Sequence, residues 1–222
     1  MIIAIDGPAG TGKTTIARKL AGKLDYNYFD TGAMYRALTH LVIKNKIDIQ
    51  NAKVLSAFLA DFHFDIRDIA GQHHYYVADE DVTEVIRTQE VTQKVSEVSA
   101  NGTVRSALVD IQRKFGKNKN AVFEGRDMGT VVFPKAEYKF FLTARPAIRA
   151  ERRYLELKEK KMPVPVNQQE ILKQLMDRDH FDSTREISPL KQADDAYLID
   201  TSDLSIDQVV EQILAHVSEW SA

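Results

Sequence analysis

The sequence predicts an α/β fold in which a mostly parallel five-stranded sheet lies between two layers of helices. Short apolar runs alternate with longer segments of helical periodicity, which is typical of strand–helix–strand units. The runs are apolar throughout, as in strands that are buried on both faces of a parallel sheet. The 222 residues suffice for one domain, residues 1–222, with small inserts. The predicted strands are residues 2–5, 28–30, 121–123, 139–143 and 197–200.

The predicted helices follow from apolar residues that recur every three or four positions. The first helix comes directly after a glycine-rich loop, so the chain begins with a strand, a loop and a helix. One charged helix is expected to end before Pro163 and Pro165, because proline disrupts a helix interior. The predicted helices are residues 14–24, 33–43, 54–62, 85–98, 104–115, 148–161, 171–179 and 205–220.

Two regions look like excursions from this core. Residues 62–68 and much of 73–82 alternate in polarity with period two around a turn near Gly71. This pattern predicts a small antiparallel insert at about residues 62–100. The second excursion is the arginine-rich region at residues 145–185.

Composition excludes several kinds of protein. Cysteine is absent, which rules out disulfides, thiolate nucleophiles and cysteine-ligated zinc. The net charge of −2 lacks the basic excess of a dedicated nucleic-acid binder. We see neither a signal peptide nor an apolar stretch that could span a bilayer. We therefore expect a cytoplasmic protein without nucleic-acid or membrane partners and, since no long apolar surface stripe is visible, a monomer.

A phosphate-binding loop is predicted between the first strand and the first helix. The pattern G-x-x-x-x-G-K-[ST] binds phosphate because loop N–H groups and the positive end of the helix dipole converge on its oxygens. Lys13 would bridge the β- and γ-phosphates of ATP, and the Thr14 hydroxyl would be a ligand of Mg²⁺. The predicted ATP-binding residues are Gly7, Pro8, Ala9, Gly10, Thr11, Gly12, Lys13, Thr14 and Thr15.

The rest of the chain favours a kinase over other P-loop proteins. A GTPase usually carries Asn-Lys-x-Asp, and residues 118–121 lack the aspartate. A motor ATPase commonly has a carboxylate pair at a strand end, whereas this chain has the single Glu124. Glu124 could order Mg²⁺ through water, or it could be a structural carboxylate paired with an arginine.

The placement of arginines points the same way, because guanidinium groups bind phosphate bidentately and a nucleotide kinase holds two phosphate-bearing substrates. Arg149 and Arg153 flank a possible lid, but a solvated helix face explains them equally well. Five arginines lie near predicted loops or element ends: Arg36, Arg105, Arg126, Arg178 and Arg185. Four more lie close together on one predicted helix: Arg145, Arg149, Arg152 and Arg153.

Three segments together resemble the bacterial cytidylate kinase family. They are Asp-Thr-Gly-Ala-Met-Tyr-Arg at 30–36, Glu-Gly-Arg-Asp-Met-Gly-Thr at 124–130, and the Arg-Asp, Asp-Ser and Arg positions of 178–185. They occur in the family's order, and the likeness covers almost the whole chain. The resemblance implies an adenylate-kinase-like core, a nucleoside-monophosphate-binding insert at 62–100 and a short lid at 149–185. It also implies transfer of a phosphoryl group from ATP to CMP or dCMP with Mg²⁺, giving ADP and CDP or dCDP.

The resemblance also assigns roles to individual residues. Many relatives have glycine where this chain has Thr14. This difference leaves open only whether all members of the family bind magnesium through the same side chains. The residues implied at the acceptor phosphate are Tyr35, Arg36 and Arg126. Those implied around cytosine are Thr31, Ser96, Arg105 and Asp127. Those implied at the sugar are Arg178 and Asp182, with Arg185 at the phosphates. The residues expected to act in catalysis are Lys13, Arg126 and Arg185.

Base selection has a physical explanation in this assignment. Asp127 can accept a hydrogen bond from the N4 amino group of cytosine, and Arg105 can donate to N3 and O2. Uracil would place a carbonyl oxygen opposite the carboxylate, which leaves a buried charge facing a lone pair. Asp127 could instead be a loop carboxylate that pairs with Arg126.

The expected chemistry needs no nucleophilic side chain, because the acceptor phosphate oxygen already carries negative charge. The region 149–185 is expected to move inward when both nucleotides bind, so that water is excluded. Two alternatives stay open. One is another small-molecule P-loop kinase, with a different nucleoside monophosphate or a metabolite as acceptor. The other is a nucleotide-binding switch protein.

Overall fold

A computed structural model of the chain describes residues 1–159 and 167–219. The helices are α1 (Lys13–Leu24), α2 (Thr31–Lys44), α3 (Ala52–Ala60), α4 (Gln89–Ala100), α5 (Gly102–Gly116), α6 (Pro146–Glu159), α7 (Gln168–Thr184) and α8 (Ile206–Glu219). The strands are β1 (Ile2–Asp6), β2 (Asn27–Asp30), β3 (Phe64–Ile69), β4 (Gln72–Val77), β5 (Glu80–Asp81), β6 (Ala121–Gly125), β7 (Tyr138–Thr143) and β8 (Tyr197–Asp200). Within the described residues, no helix has both the length and the apolar character that crossing a membrane requires.

The chain divides into two compact units, and the boundary falls within β2. Unit 1 comprises Met1–Tyr28 and Asn118–Ala222, and unit 2 comprises Phe29–Lys117. The predicted bounds of the insert and of the lid stay predictions.

A parallel sheet forms the centre of unit 1. Among the described residues it has five strands in the order β2-β6-β1-β7-β8. The central strand β1 pairs in parallel with β6 and β7, and Asp6 is opposite Gly125 and Phe141. Ile3 and Ile5 of β1 are fully buried in a core that includes side chains of α1 and α8. The predicted α/β fold is confirmed, and the parallel strands bring their carboxyl ends to one edge of the sheet.

Unit 2 combines helices α2 to α5 with a small antiparallel sheet. Within the described residues this sheet has three strands in the order β3-β4-β5, as the period-two pattern predicts. Tyr75 of β4 is buried and its ring stacks on Phe64, with ring centroids 6.0 Å apart. Phe29 packs edge-on against Phe115 at 4.5 Å. Phe29 also packs against Phe64 at 6.0 Å, so it joins both the sheet and helix α5 to the start of the unit.

Two helices differ from the prediction by more than two residues at an end. The expected helix at 85–98 is divided into a 3₁₀ turn, Val85–Arg87, and α4, because Thr88 is extended with φ −61° and ψ 159°. Helix α7 extends beyond the predicted 171–179 at both ends, and its first turn is capped by the Asn167 side chain, which accepts from the Glu170 N–H at 2.9 Å. The predicted helix ends at Lys161 and Trp220, and the prolines at 163 and 165, lie outside the described residues.

Candidate active site

The phosphate-binding loop of unit 1 connects β1 to α1 and depends on glycine at two positions. Gly7 has a φ of 145°, and a Cβ atom there would lie 2.1 Å from the carbonyl oxygen of Leu142. Gly12 has a φ of 89° and is the N-cap of α1. Other residues rarely adopt these φ values, so the loop can follow this path only with glycine at both positions. The predicted ATP-binding residues 7–15 all lie in this loop and in the first turn of α1.

Helices α6 and α7 contact the loop at Ala9. The Arg149 guanidinium donates from Nη1 to the Ala9 carbonyl oxygen at 3.0 Å, and the Ala9 N–H donates to Asp179 Oδ1 at 3.3 Å. Arg149 also forms an ion pair with Asp179 and donates to the carbonyl oxygen of Ala144 at 3.1 Å. Because Arg149 is buried, the interpretation of this residue as part of a solvated helix face is wrong.

Lys13 is buried in the first turn of α1, where its Nζ donates to the carbonyl oxygen of Pro8 at 2.6 Å. Burial, together with the positive charges of Arg126 and Arg178, lowers the pKa of Lys13 to about 7, although Glu124 acts in the opposite direction. A bound anion would favour the charged form of Lys13, because an opposite charge stabilises an ammonium group.

Thr14 and Glu124 bring two oxygen donors together beside the loop. The Thr14 hydroxyl donates to Glu124 Oε1 at 2.5 Å, and the Tyr28 hydroxyl donates to the same oxygen at 3.2 Å. Glu124 is the penultimate residue of β6 and is buried. A hydroxyl and a carboxylate are the ligand types that Mg²⁺ prefers, so these side chains fit a magnesium ion.

Three arginines surround one buried carboxylate in unit 1. Arg126 Nε donates to Asp182 Oδ2 at 3.1 Å, Arg178 Nε lies 3.9 Å from the same oxygen, and Arg185 Nη1 lies 3.8 Å from Oδ1. Burial raises the pKa of Asp182, but the three guanidiniums outweigh it and hold that pKa below its ordinary value. Desolvation and the charge of Arg126 lower the pKa of Arg178 to about 10. The cluster therefore concentrates positive charge that one carboxylate does not neutralise.

The segment after β6 carries Arg126 and Asp127. Asp127 is buried and precedes a π-helical turn, Met128–Val132. Arg126 forms its ion pair with Asp182 on α7, so the structure brings these two predicted residues together. Asp6 at the end of β1 accepts from the N–H groups of Met128 and Gly129, both at 2.8 Å.

In unit 2, the start of α2 holds three of the predicted residues. Asp30 caps the helix by accepting from the Ala33 N–H at 2.8 Å, which places Thr31 in the first turn. Tyr35 is buried one turn later. Arg36 donates from Nη1 to the Thr92 hydroxyl of α4 at 2.9 Å.

Helices α4 and α5 carry the other two predicted site residues of unit 2, Ser96 and Arg105. Arg105 is buried, donates from Nη1 to the carbonyl oxygen of Ser99 at 3.2 Å, and lies over the Tyr35 ring at 5.3 Å. Asn101 caps α5 and thereby fixes the helix that presents Arg105. Ser96 is half-buried on α4 and its carbonyl oxygen accepts from the Ser99 hydroxyl at 3.0 Å. Unit 2 thus brings Tyr35 and Arg105 into contact.

The structure corrects the expected location of two arginines and adds contacts of two residues for which the sequence predicted no role. Arg36 and Arg178 lie inside α2 and α7 rather than near loops or element ends. The missed residues are Asp6, which binds the segment after β6, and Asp179, which binds the phosphate loop. Asp6 had a recognisable signal, since a carboxylate at the end of a buried strand lies at the functional edge of a parallel sheet.

Comparison with known proteins identifies the family. A family model described as cytidylate kinase matches residues 3–219. The chain belongs to the cytidylate kinase family. A cytidylate kinase from Protochlamydia amoebophila (strain UWE25) is 54% identical over 219 residues, which cover 97% of this chain and 96% of the relative. A cytidylate kinase from Fusobacterium nucleatum subsp. nucleatum is 45% identical over 213 residues, with 96% and 95% coverage. The resemblance predicted from the three sequence segments is confirmed.

The fold is also similar to that of solved structures. The crystal structure of an uncharacterized protein from Eubacterium ventriosum ATCC 27560 matches with a TM-score of 0.53 and 14% identity, over 99% of this chain and 98% of that chain. At this identity the likeness concerns the fold alone.

Proposed function

We propose that this member of the cytidylate kinase family transfers the γ-phosphoryl group of ATP to CMP or dCMP, giving ADP and CDP or dCDP. The observation that carries the proposal is the cluster of Arg126, Arg178 and Arg185 around Asp182. The charges of Arg126 and Arg178 also act on Lys13 of the phosphate loop. Such a concentration of fixed cations favours polyanionic substrates and the charge that develops during phosphoryl transfer.

Lys13 and the loop would bind the triphosphate of the donor. The free energy that burial of Lys13 costs is recovered when a phosphate approaches, because the ammonium group then gains an opposite charge. Loop N–H groups and the N-terminus of α1 add directed dipoles to this attraction. These properties support a role for residues 7–15 in ATP binding.

The chemical step is an in-line displacement at phosphorus. An oxygen of the acceptor phosphate forms a bond to the γ-phosphorus, and the bond from that phosphorus to the β–γ bridging oxygen breaks, so that ADP leaves with its electron pair. No protein nucleophile is needed. Lys13, Arg126 and Arg185 would position the groups and neutralise the charge on the transferring phosphoryl group.

Magnesium would be held at Thr14, with Glu124 as a further oxygen ligand either directly or through water. The short contact between these side chains supports this assignment. The ion supplies neutralisation of phosphate charge when bound. Thr14 and Glu124 themselves are fixed by the Tyr28 hydroxyl, which donates to the carboxylate that Thr14 also contacts.

Cytosine would be recognised by Asp127 as acceptor and Arg105 as donor, with Thr31 and Ser96 as further contacts. The acceptor phosphate would be bound by Tyr35, Arg36 and Arg126. The sugar would be contacted by Arg178 and Asp182. Burial of Asp127 supports its role, because a desolvated carboxylate strongly penalises a ligand that cannot donate to it.

Three broader expectations belong to this proposal. The protein acts as a monomer, works in the cytoplasm and closes its region 149–185 over both nucleotides. Light scattering with and without nucleotides checks the first. Hydrogen exchange checks the third, since unchanged protection of 149–159 and 167–185 on addition of both nucleotides contradicts closure.

An acceptor panel tests the function. Formation of diphosphate product is measured with CMP, dCMP, UMP and AMP for the parent and for Lys13→Ala. We expect CMP or dCMP to be the best acceptor, and the rate to fall about 100-fold or more in Lys13→Ala. The matched control is Lys23→Ala, which removes an exposed lysine of the same helix that pairs with Glu211. Product formation by Lys13→Ala at the parental rate, or a preference for AMP, contradicts the proposal.

A further inference from the structure

Asp6 uses both carboxylate oxygens to bind the segment that carries Asp127. Its Oδ1 accepts from the Met128 N–H and its Oδ2 from the Gly129 N–H, each at 2.8 Å. Asp6 is the last residue of β1 and is only 5% exposed. Each carboxyl oxygen of Asp6 accepts one of these N–H groups, so Asp6 holds both peptide units.

The segment that Asp6 binds has an unusual backbone. Val132 N–H donates to the Asp127 carbonyl oxygen and Phe133 N–H to that of Met128, which are the i−5 hydrogen bonds of a π-helical turn. Such turns are rare and persist only where the surroundings support them. The Asp127 side chain does not cap this turn, although Asp127 is the residue that precedes it. Asp6 supplies the cap from another strand.

Close packing at Gly129 also indicates that the position of the π-helical turn is fixed. A Cβ atom at Gly129 would lie 3.1 Å from Cδ of Lys139 and 3.5 Å from Oδ2 of Asp6. Lys139 is itself buried and is fixed by Asp195 and by the carbonyl oxygen of Pro134. The turn is therefore confined between Asp6 on one side and Lys139 on the other.

We propose that Asp6 is a positioning residue for base selection: by capping the π-helical turn it fixes the backbone that presents the Asp127 carboxylate to the acceptor base. This inference rests on the proposed role of Asp127 in recognising cytosine. Asp6 acts through the peptide units of Met128 and Gly129 and does not itself contact the base. Its loss changes the choice between acceptors rather than only the rate.

A double-mutant cycle tests the inference. The ratio of kcat/KM for CMP to that for UMP is measured for the parent, Asp6→Asn, Asp127→Ala and the double variant. We expect the ratio to fall about tenfold in Asp6→Asn, because the carboxamide replaces one of the two acceptor oxygens with a donor. If Asp6 acts through Asp127, the double variant has the same ratio as Asp127→Ala. The control Asp207→Asn alters an exposed aspartate of the same unit and keeps the parental ratio.

The outcomes separate the two proposals. If Asp127→Ala keeps the full preference for CMP, the proposed role of Asp127 is wrong. If Asp127→Ala loses the preference but Asp6→Asn keeps it, or if the two effects add, the inference about Asp6 is overturned. Gly129→Ala provides a variant that retains Asp6 but shifts the turn against Lys139, and it lowers the ratio without removing the carboxylate. An unchanged ratio in Gly129→Ala contradicts the inference even if Asp6→Asn does not fold.

Discussion

Unit 1 buries a group of charged side chains, whereas the ion pairs of unit 2 lie largely on its surface. Lys13, Asp6 and Asp182 of unit 1 are all buried. In unit 2, the pair formed by Lys44 and Glu80 has side chains that are 49% and 52% exposed. Arg105 and Asp30 are exceptions in unit 2, since both are buried.

The difference between the two units indicates which charged side chains serve the proposed function. An exposed ion pair contributes about 0–1 kcal/mol, so it can be lost without consequence. A buried charge costs several kcal/mol of desolvation unless partners compensate, so a group of them is retained only where it serves a purpose. The buried charges of unit 1 lie around the phosphate loop and the arginine cluster, which is where the proposed chemistry needs them.

Removal of Arg149 should have the largest effect. In Arg149→Ala the half-buried Asp179 carboxylate loses its ion pair with the buried guanidinium, and the Ala9 carbonyl oxygen loses its donor. We expect unfolding free energy to decrease by about 3 kcal/mol, because breaking a buried pair leaves an uncompensated charge. The KM for ATP should also rise, since the loop loses a contact at Ala9. Urea denaturation and steady-state kinetics measure the two effects.

Arg145 provides the comparison for this prediction. It precedes α6 and pairs with Asp203, and the two side chains are 56% and 74% exposed. Arg145→Ala should therefore change stability far less than Arg149→Ala. Equal stability of the two variants would contradict the distinction between buried and exposed arginines.

The second prediction concerns the pH dependence that Asp6 introduces. Burial raises the pKa of Asp6 from 3.8 to about 7, with Asp127 acting in the same direction and Lys13 and the two N–H donors opposing it. Between pH 3.8 and pH 7, Asp6 is therefore protonated in the folded state and ionised in the unfolded state. This difference contributes to the free energy of unfolding at low pH, and the contribution is lost as the pH rises through 7. Between pH 5 and pH 8 the loss is about 2–3 kcal/mol.

Asp6→Asn should remove this contribution. Unfolding free energies at pH 5 and pH 8 are compared for the parent and the variant, and the variant should show the smaller decrease. Asp207→Asn should behave like the parent, because Lys19 holds the pKa of Asp207 below its ordinary value and the group stays ionised over this range. Parallel pH dependence in Asp6→Asn and the parent would sink the prediction.

Local patterns predicted the sheet and the phosphate loop, because their determinants are close in the sequence. An apolar run specifies a buried strand within a few residues, and the loop glycines act on their own φ values. The sequence identified Asp182 only through the family resemblance, and it identified Arg126 also through its place after a predicted strand. It did not predict that Arg178 and Asp182 share one helix, since α7 buries few apolar residues such as Ile171 and Leu175.

Contacts across long stretches of chain explain what the sequence could not predict. The cap that Asp6 provides joins residues 122 and 123 positions apart. Arg149 and Arg153 are the same residue type and lie one turn apart on α6. Arg149 is nevertheless buried, because it packs against the phosphate loop at Ala9, which is 140 positions away in the sequence. Burial of a charge is a tertiary property, so composition and periodicity cannot distinguish these two arginines.

The smallest effect is expected for the exposed pair of unit 2. Lys44 Nζ lies 2.7 Å from Glu80 Oε2, and this contact lowers the pKa of the Glu80 carboxyl. Lys44→Ala should nevertheless change unfolding free energy by about 0.5 kcal/mol or less, and salt should reduce even that difference. Tyr75→Phe in the same unit removes a buried hydroxyl that donates to Asp30 Oδ2 at 3.1 Å, and should cost about 1 kcal/mol. If Lys44→Ala destabilised the protein more than Tyr75→Phe, exposure would not be what separates strong from weak polar contacts here.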